Sequence, residues 1–132
     1  MSDTDVLKSL TEATADLYFM SESDYPFQVS DLGPRDKVPL SELKKLGEQP
    51  ADAPATTVAL EDFFGPATRS NPGEADSVRK LKDRYRNLVQ KIKENLADIT
   101  VYKIGTVNIP VFILGRTAGG HWLCLSTRVV ET

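Results

Sequence analysis

The sequence contains few of the residues that most catalytic and covalent chemistry uses. Its 132 residues include a single cysteine, Cys124, and a single histidine, His121. One cysteine excludes an internal disulfide and is consistent with a reducing, cytoplasmic location. Without a second His or Cys, His121 is a poor metal ligand. His121 and Cys124 are three apart on a predicted strand and point to opposite faces, which excludes a local nucleophile–base pair.

Longer functional motifs are missing as well. The chain has neither GxxxxGK[ST] nor GxGxxG, the glycine-rich sequences that cradle phosphates. It has no run of about 18 apolar residues, so no membrane span is expected. The N-terminal MSDTDVLKSL is acidic and lacks the basic and apolar regions of a secretory signal. We therefore expect one cytoplasmic domain over residues 1–132, without a cofactor and large enough to fold without disulfides or metals.

The net charge of −3 conceals an uneven distribution of charged residues. Residues 1–77 carry fifteen acidic and six basic side chains. Residues 78–96 carry two acidic and seven basic side chains, and residues 97–132 carry two acidic and three basic ones. The protein is thus an acidic body with one basic segment. Because DNA and RNA binding requires neutralised phosphates, this distribution argues against nucleic acid as the main partner. It favours a partner that itself has a basic groove.

The first half of the chain predicts short helices and strands in alternation. Residues 4–18 have apolar side chains at helical spacing. Leu40, Leu43 and Leu46 form one face of a two-turn helix that Gly47 ends. Between and after these helices we predict a strand over 27–31 ended by Leu32-Gly33-Pro34, a strand over 55–60, a helical turn that buries Phe63 and Phe64, and a loop over 65–70.

The clearest element is a long amphipathic helix in the second half. Asn71, Pro72 and Glu74 have the chemistry of a helix start, as cap, first residue and third residue. One face is apolar: Val78, Leu81, Tyr85, Leu88, Val89, Ile92 and Leu96. The other is basic: Arg79, Lys80, Lys82, Arg84, Arg86, Lys91 and Lys93. This basic face is either solvated or a docking surface for nucleic acid or a membrane, and Tyr85 on its buried side disfavours a base-stacking platform.

The last third of the chain has the pattern of a β-sheet. We predict strands over 100–105, 109–116 and 121–130, with Ala118-Gly119-Gly120 as the turn of an antiparallel hairpin. The run of apolar residues from Val111 to Leu114 does not alternate, so both faces of that strand are covered, as in a central strand. An α+β fold follows, with helices on both sides of a mixed or antiparallel sheet.

An acidic turn connects the first helix to the first strand. Ser21, Glu22, Ser23 and Asp24 lie between two aromatic groups, and Pro26 holds Tyr25 extended. Ser and Asp side chains bond to their own backbone in turns. The stretch is therefore either a rigid acidic turn with a function of its own or only a helix-to-strand connection.

Two stretches resemble a known family. FMSESDYPF, residues 19–27, is similar to the signature of the nuclease A inhibitors, which block a sugar-non-specific, metal-dependent DNA/RNA endonuclease. The C-terminal STRVVET, from Ser126 to Thr132, is similar to that family's ending. The resemblance implies a three-layer α-β-α sandwich and a protein that is not an enzyme.

The resemblance also implies how such an inhibitor works. A protein that offers carboxylates and an oxygen ligand can occupy the phosphate-binding groove of a nuclease as a phosphate mimic. Glu22 would contact the nuclease's arginines or lysines, and Thr132 would bring its hydroxyl or carboxylate near the nuclease's metal. Asp24 and Glu131 would add charge at the rim. The other residues expected in this interface are Ser21, Ser23, Tyr25 and Glu74. The complex would be one-to-one, with a free protein that is monomeric and has no metal of its own.

One departure from the family and two alternatives remain. The family uses an acidic–aromatic pair near the start of the long helix, where this chain has Pro72-Gly73-Glu74-Ala75 and no aromatic residue. Loss of an aromatic anchor would weaken binding or redirect it to another nuclease.

The first alternative is a small-ligand or housekeeping module on the same fold, with a pocket behind Tyr25 and Phe27. The second is an enzyme that acts through Glu22 and Asp24.

Overall fold

The computed structural model describes residues 3–19, 25–68 and 72–130. Within these ranges the chain has four helices and seven strands, which confirms the α+β class. In order they are α1 (Asp3–Thr14), β1 (Tyr18–Phe19), β2 (Tyr25–Pro26), β3 (Gln28–Pro34), α2 (Leu40–Leu46), β4 (Ala55–Val58), α3 (Leu60–Thr68), α4 (Asp76–Asn95), β5 (Ala97–Ile104), β6 (Asn108–Arg116) and β7 (His121–Val130).

Five strands form one sheet in the order β3-β7-β6-β5-β4, and every neighbouring pair is antiparallel. Of the two sheet types left open, the antiparallel one is therefore correct for these strands. β6 lies at the centre, as its uniform apolar run predicted. The β6–β7 hairpin is also confirmed, with a ladder that runs from Arg116↔Trp122 to Asn108↔Val130. Gly120 in its turn has a φ of 88°, a conformation that favours glycine.

The buried side chains form two clusters on opposite faces of the sheet. In β6, Val111 and Ile113 belong to one cluster, and Phe112 and Leu114 belong to the other. Successive residues of a strand point to opposite sides, so the clusters are separated by the sheet. The first cluster also contains side chains from α1, α3 and α4, and the second contains Leu43 of α2.

The first helix is shorter than predicted. It ends at Thr14 rather than at residue 18, and the Thr14 hydroxyl donates a hydrogen bond to the Leu10 carbonyl at 2.9 Å. Asp16 then has a φ of 58°, which a right-handed helix cannot include. The apolar periodicity continued to Leu17 and Tyr18 because Leu17 is buried in the core, although it lies outside the helix.

Several strand limits also differ from the prediction. β3 begins one residue later than expected and continues through Pro34 instead of ending at residue 31. β4 ends at Val58, two residues early, and β5 begins at Ala97, three residues early. The predicted helical turn after β4 is the nine-residue helix α3, so the loop expected over 65–70 is wrong up to Thr68. Phe63 and Phe64 are buried as predicted.

The long helix begins later than its sequence suggested. Its first residue is Asp76 and Ala75 is the N-cap, so a start at Pro72 is wrong. Gly73 has a φ of 77°, a left-handed conformation that cannot belong to a first helical turn. The apolar face is confirmed by the burial of Tyr85, Leu88 and Ile92. Among the described residues, no helix is long and apolar enough to span a membrane.

The bounds of α2 are confirmed, but its three leucines do not form one buried face. Leu43 is fully buried, whereas Leu40 is 37% and Leu46 is 53% exposed. The helix ends at Gly47, whose backbone N–H donates to the Leu43 carbonyl at 3.0 Å. The final turn of α2 thus leaves a large apolar side chain in solvent.

Gly47 is required by a close approach between α2 and the sheet. A Cβ atom at this position would lie 2.8 Å from Cγ of the Pro110 ring and 3.3 Å from Cζ of Phe112. Both neighbours are buried in the central strand and cannot move away freely. We expect Gly47→Ala to lower the free energy of unfolding by about 1–3 kcal/mol, as overpacking does.

Urea unfolding followed by circular dichroism measures this effect. Gly65→Ala is the matched control, since a Cβ at Gly65 in α3 meets nothing within 4 Å. A Gly47→Ala protein as stable as the wild type would show that α2 does not rest on Pro110 as described.

Candidate functional site

Most of the predicted site lies outside the described residues. Ser21, Glu22, Ser23 and Asp24 of the acidic turn, and Glu131 and Thr132 at the C-terminus, belong to this group. Tyr25 and Glu74 are the site residues whose surroundings are known. The geometry of the site is therefore given by the elements that lead into the turn and into the C-terminus.

The acidic turn connects two paired strands. β1 and β2 are antiparallel, with Tyr18 opposite Pro26 and Phe19 opposite Tyr25. Residues 20–24 link the two sides of this short ladder. The sequence predicted a helix that continued to residue 18 and missed this pairing. A two-residue strand is too short to show a periodicity. The aromatic residues on both sides of the turn were the sequence feature that indicated this pairing.

Both strands of the ladder are attached to the rest of the protein. The Tyr85 hydroxyl of α4 donates a hydrogen bond to the Tyr18 carbonyl in β1. The Thr127 hydroxyl of β7 donates to the Tyr25 carbonyl in β2 at 3.3 Å. Phe27, directly after β2, is buried and its ring stacks on Phe64 with 6.1 Å between centroids. The two ends of the acidic turn are therefore held by the core.

The C-terminal strand ends beside this ladder. β7 stays in register with β6 as far as Val130, which pairs with Asn108. Thr127, which contacts Tyr25, is only three residues before that last pair. The acidic turn and the last two residues of the chain thus leave the described structure at the same end of the sheet.

Glu74 is paired inside the protein rather than exposed. Its carboxylate forms an ion pair with the Lys82 ammonium of α4, and the two side chains are only 11% and 8% exposed. The sequence placed Lys82 on the charged outer face of the helix, and this assignment is wrong because Lys82 is buried. Lys82 lies one turn before Tyr85, so the pair is next to the contact that holds β1.

The remaining basic side chains of α4 are also largely used within the protein. The Arg84 guanidinium donates to the carbonyls of Ala13 and Ala15, at 3.3 and 2.6 Å, where α1 ends. Cations near a helix C-terminus stabilise its exposed carbonyls. Lys91 donates to the Ser9 hydroxyl at 3.0 Å, and Lys93 pairs with Glu61 of α3. These contacts favour a structural role for the basic face over a docking site for an anionic partner.

Cys124 and His121, the candidate catalytic groups among the described residues, are not arranged for chemistry. Cys124 is buried, and burial raises the pKa of its thiol to about 12. His121 lies at the other end of β7, where its Nδ1 is 3.1 Å from both carboxylate oxygens of Asp31. Its Nε2 is 3.9 Å from Asp3 of α1. In the part of the chain that the structure describes, no three His, Cys, Asp or Glu side chains form a metal-binding group.

The Asp31 carboxylate gives a testable dependence of stability on pH. The backbone N–H of Gly33, 2.8 Å from Oδ1, and next the neighbouring His121 lower the pKa of Asp31 below 3.8. A pKa that is lower in the folded state contributes stability above the unfolded value, and this stability is lost as the pH falls through the folded value. We expect the stability difference between wild type and Asp31→Asn, under about 1 kcal/mol at this exposed site, to shrink below pH 4.

Urea midpoints measured from pH 6 to pH 2.5 test this expectation. Asp36→Asn, at an exposed position five residues on, is the control for the loss of one carboxylate. A difference between wild type and Asp31→Asn that grows on acidification would contradict the assigned contacts.

A pocket of about 210 Å³ lies at the same end of the sheet as the acidic turn. It is lined by Tyr25 and Pro26 of β2, by Leu46 of α2 and the following Gly47, and by Phe112 of β6. The ligand hypothesis expected a pocket behind Tyr25 and Phe27, and Phe27 does not line this one. Its volume is below the ~300 Å³ at which pockets for small-molecule ligands begin.

Comparison with known proteins agrees with the two motifs. No curated protein matches the chain. A family model described as nuclease A inhibitor-like protein matches residues 4–132, nearly the whole chain, and so includes both the acidic turn and the C-terminus. The chain therefore belongs to the nuclease A inhibitor-like family, whose members are inhibitor proteins and not enzymes.

Proposed function

We propose that this protein inhibits a sugar-non-specific, metal-dependent DNA/RNA endonuclease by occupying its active site in a one-to-one complex. The observation that carries the proposal is that β2, which follows the acidic turn, and β7, which leads to the C-terminus, meet at one end of the sheet, where the Thr127 hydroxyl donates to the Tyr25 carbonyl. Acidic segments attached to neighbouring strands can enter a single groove together. Membership of the family supplies the class of partner.

In the proposed complex the acidic turn and the C-terminus have different tasks. Glu22 contacts cationic side chains that normally hold the nucleic-acid phosphates, because a carboxylate accepts the same charge-assisted hydrogen bonds. Thr132 brings its hydroxyl or its terminal carboxylate toward the metal of the nuclease, which prefers oxygen ligands. Asp24 and Glu131 increase the negative potential around the two contacts. Ser21 and Ser23 accept or donate hydrogen bonds beside them.

Tyr25 and Glu74 support this surface from within. Tyr25 ends the turn and is anchored to β7 through its carbonyl. Glu74 pairs with Lys82 beneath the segment that enters α4. In this part of the interface the family's aromatic residue is missing, so we expect Glu74 to act mainly by shaping the surface.

The charge distribution supports electrostatic steering of the complex. The acidic body presents a negative surface to a basic groove, and four of the seven cations of α4 form ion pairs with acidic side chains. Complementary charges accelerate association, and added salt screens them. The proposal also includes a monomeric free protein and a three-layer α-β-α sandwich, which the clusters on both faces of the sheet support.

A plasmid-digestion assay tests the function. A metal-dependent, sugar-non-specific nuclease, preferably from the same genome, is titrated with the protein at fixed substrate and metal. We expect protection that is complete at one equivalent, an association rate that falls steeply with salt, and no recovery when the metal is increased tenfold. A metal-independent ribonuclease is the control and should be unaffected. Full digestion at a large molar excess of the protein would overturn the proposal.

A further inference from the structure

The exposed apolar side chains of the described residues are concentrated at the end of the molecule that carries the acidic turn. Four large hydrophobic side chains are exposed: Tyr18, Leu40, Leu46 and Val107. Tyr18 lies in the ladder that leads into the turn, and Val107 precedes Asn108, the partner of Val130 at the end of β7. Leu46 lines the 210 Å³ pocket. Three of the four therefore surround the surface proposed to bind the nuclease.

The pocket has a rigid apolar floor. Phe112 and Pro110 of the central strand are buried, and Gly47 is packed directly against Pro110. Leu46 and Tyr25 also line the pocket. Because the floor belongs to the core of the sheet, the pocket is already formed before any partner binds.

The rim of the pocket is polar and carries one positive charge, that of Arg128. Gln28 and Ser126 contribute an amide and a hydroxyl, and the Arg128 guanidinium donates to the Asn108 amide oxygen at 3.2 Å. An apolar floor with a polar rim is the anatomy of a contact hot spot in protein–protein interfaces. The volume suits one large side chain rather than a drug-sized ligand.

We propose that this pocket is a second contact of the inhibitory surface and receives an aliphatic or aromatic side chain that flanks the basic groove of the nuclease. The inference rests on the proposed function and extends it. Tyr25 directly follows the acidic turn and also lines the pocket, so a partner that covers the turn lies next to the pocket. A second copy of this chain is a poorer occupant because docking would bring two acidic turns together, and like charges in an interface are unfavourable.

This contact has a specific task in the complex. The carboxylates of the turn accelerate association, whereas a buried apolar anchor slows dissociation. The pocket provides an apolar contact beside the charged ones. Inhibition by this protein then depends on a side chain that the nuclease inserts, rather than on one that the inhibitor supplies.

Leu46→Gln and Leu40→Gln form a matched pair of test variants. Both change an exposed leucine of α2 to the same uncharged residue with good helix propensity. The two positions are about 9 Å apart along the helix axis, and only Leu46 lines the pocket. Binding to the immobilised nuclease gives the association and dissociation rates, and thermal unfolding confirms that both variants are folded.

We expect Leu46→Gln to raise the dissociation rate and the dissociation constant about tenfold, with an association rate within twofold of wild type. Leu40→Gln should match the wild type in both rates. Gln28→Trp, which fills the pocket with a bulky side chain, should weaken binding at least as much as Leu46→Gln.

Three other outcomes would overturn the pocket contact, the proposed function or the proposed occupant of the pocket. If wild-type protein binds and inhibits, but Leu46→Gln and Gln28→Trp bind as the wild type does, the pocket proposal alone is wrong. If the wild type neither binds nor inhibits the nuclease, the proposed function is wrong and the pocket contact is wrong with it. A dimer of the free protein that Leu46→Gln dissociates, seen by light scattering, would assign the pocket to self-association and overturn the proposed occupant.

Discussion

Glu22→Gln is expected to raise the inhibition constant about thirtyfold, the largest effect of any single charge on this protein. In the proposed complex the carboxylate contacts cationic side chains in a groove that the inhibitor covers. Removing one partner of such a pair costs about 2–5 kcal/mol, and Gln keeps an acceptor oxygen, so the low end of about 2 kcal/mol applies. Inhibition titrations at several salt concentrations measure the change, and the difference should persist at high salt.

Glu94→Gln is the matched control for this charge removal. Glu94 accepts a hydrogen bond from Gln90 on the exposed surface of α4 and lies beside the β6–β7 turn, at the opposite end of the sheet. Its effect should be within twofold and confined to the association rate. Inhibition by Glu22→Gln equal to that of the wild type would remove Glu22 from the interface.

The same assay resolves the part that Thr132 plays. Deletion of Thr132 moves the terminal carboxylate back by about 3.5 Å, which we expect to break its contact with the metal of the nuclease. Thr132→Val keeps the carboxylate in place and removes only the hydroxyl. Weakening by the deletion alone would identify the carboxylate as the metal-directed group, and weakening by both would identify the hydroxyl. Full inhibition by both would contradict the assigned role.

Glu74→Gln is expected to lower the free energy of unfolding by about 3 kcal/mol, the largest effect of a polar substitution on stability. Lys82 is only 6% exposed, so its ammonium would lose the carboxylate that compensates its desolvation. Breaking a buried ion pair from one side typically costs about 3–5 kcal/mol, and the amide oxygen of Gln retains part of the interaction. Guanidinium unfolding measures the change.

Glu42→Gln provides the comparison, because Glu42 pairs with Arg35 at 2.8 Å with both side chains about one-third exposed. That substitution should cost no more than about 0.5 kcal/mol. Both variants should then be compared in inhibition at a temperature where they are fully folded. A Glu74→Gln protein with unchanged stability and much weaker inhibition would show that Glu74 contacts the nuclease directly and does not act through its ion pair with Lys82.

Two of the errors in the sequence-based prediction originate in contacts between separate segments of the chain. The helical periodicity of residues 4–18 continued through Tyr18, but Tyr18 belongs to a ladder with Pro26. Lys82 was assigned to solvent because lysine is rarely buried, and Glu74 from the preceding segment makes its burial possible. The helix start at Pro72 failed because Gly73 adopts a left-handed conformation. None of these features produces a sequence pattern long enough to be recognised.

Local sequence patterns did determine the central strand, the buried face of the long helix and the family of this protein. The uniform apolar run of β6 identified the central strand, and the 3.6-residue periodicity of α4 identified its buried face. The two sequence motifs identified the family, which the match over residues 4–132 confirmed. Such features depend on side-chain patterning along one element, and so they can be recognised in the sequence alone.

Only the tertiary structure decided which of these features are brought together. It joins the β1–β2 ladder, whose strands flank the acidic turn, to the end of β7 through the contact of Thr127 with Tyr25. It places Leu46 of α2 in the same pocket as Tyr25 and brings Arg84 and Lys93 of α4 into contact with the end of α1 and with α3. Pairings of this kind join residues as many as about a hundred positions apart, and their free energy depends on packing that no local pattern encodes.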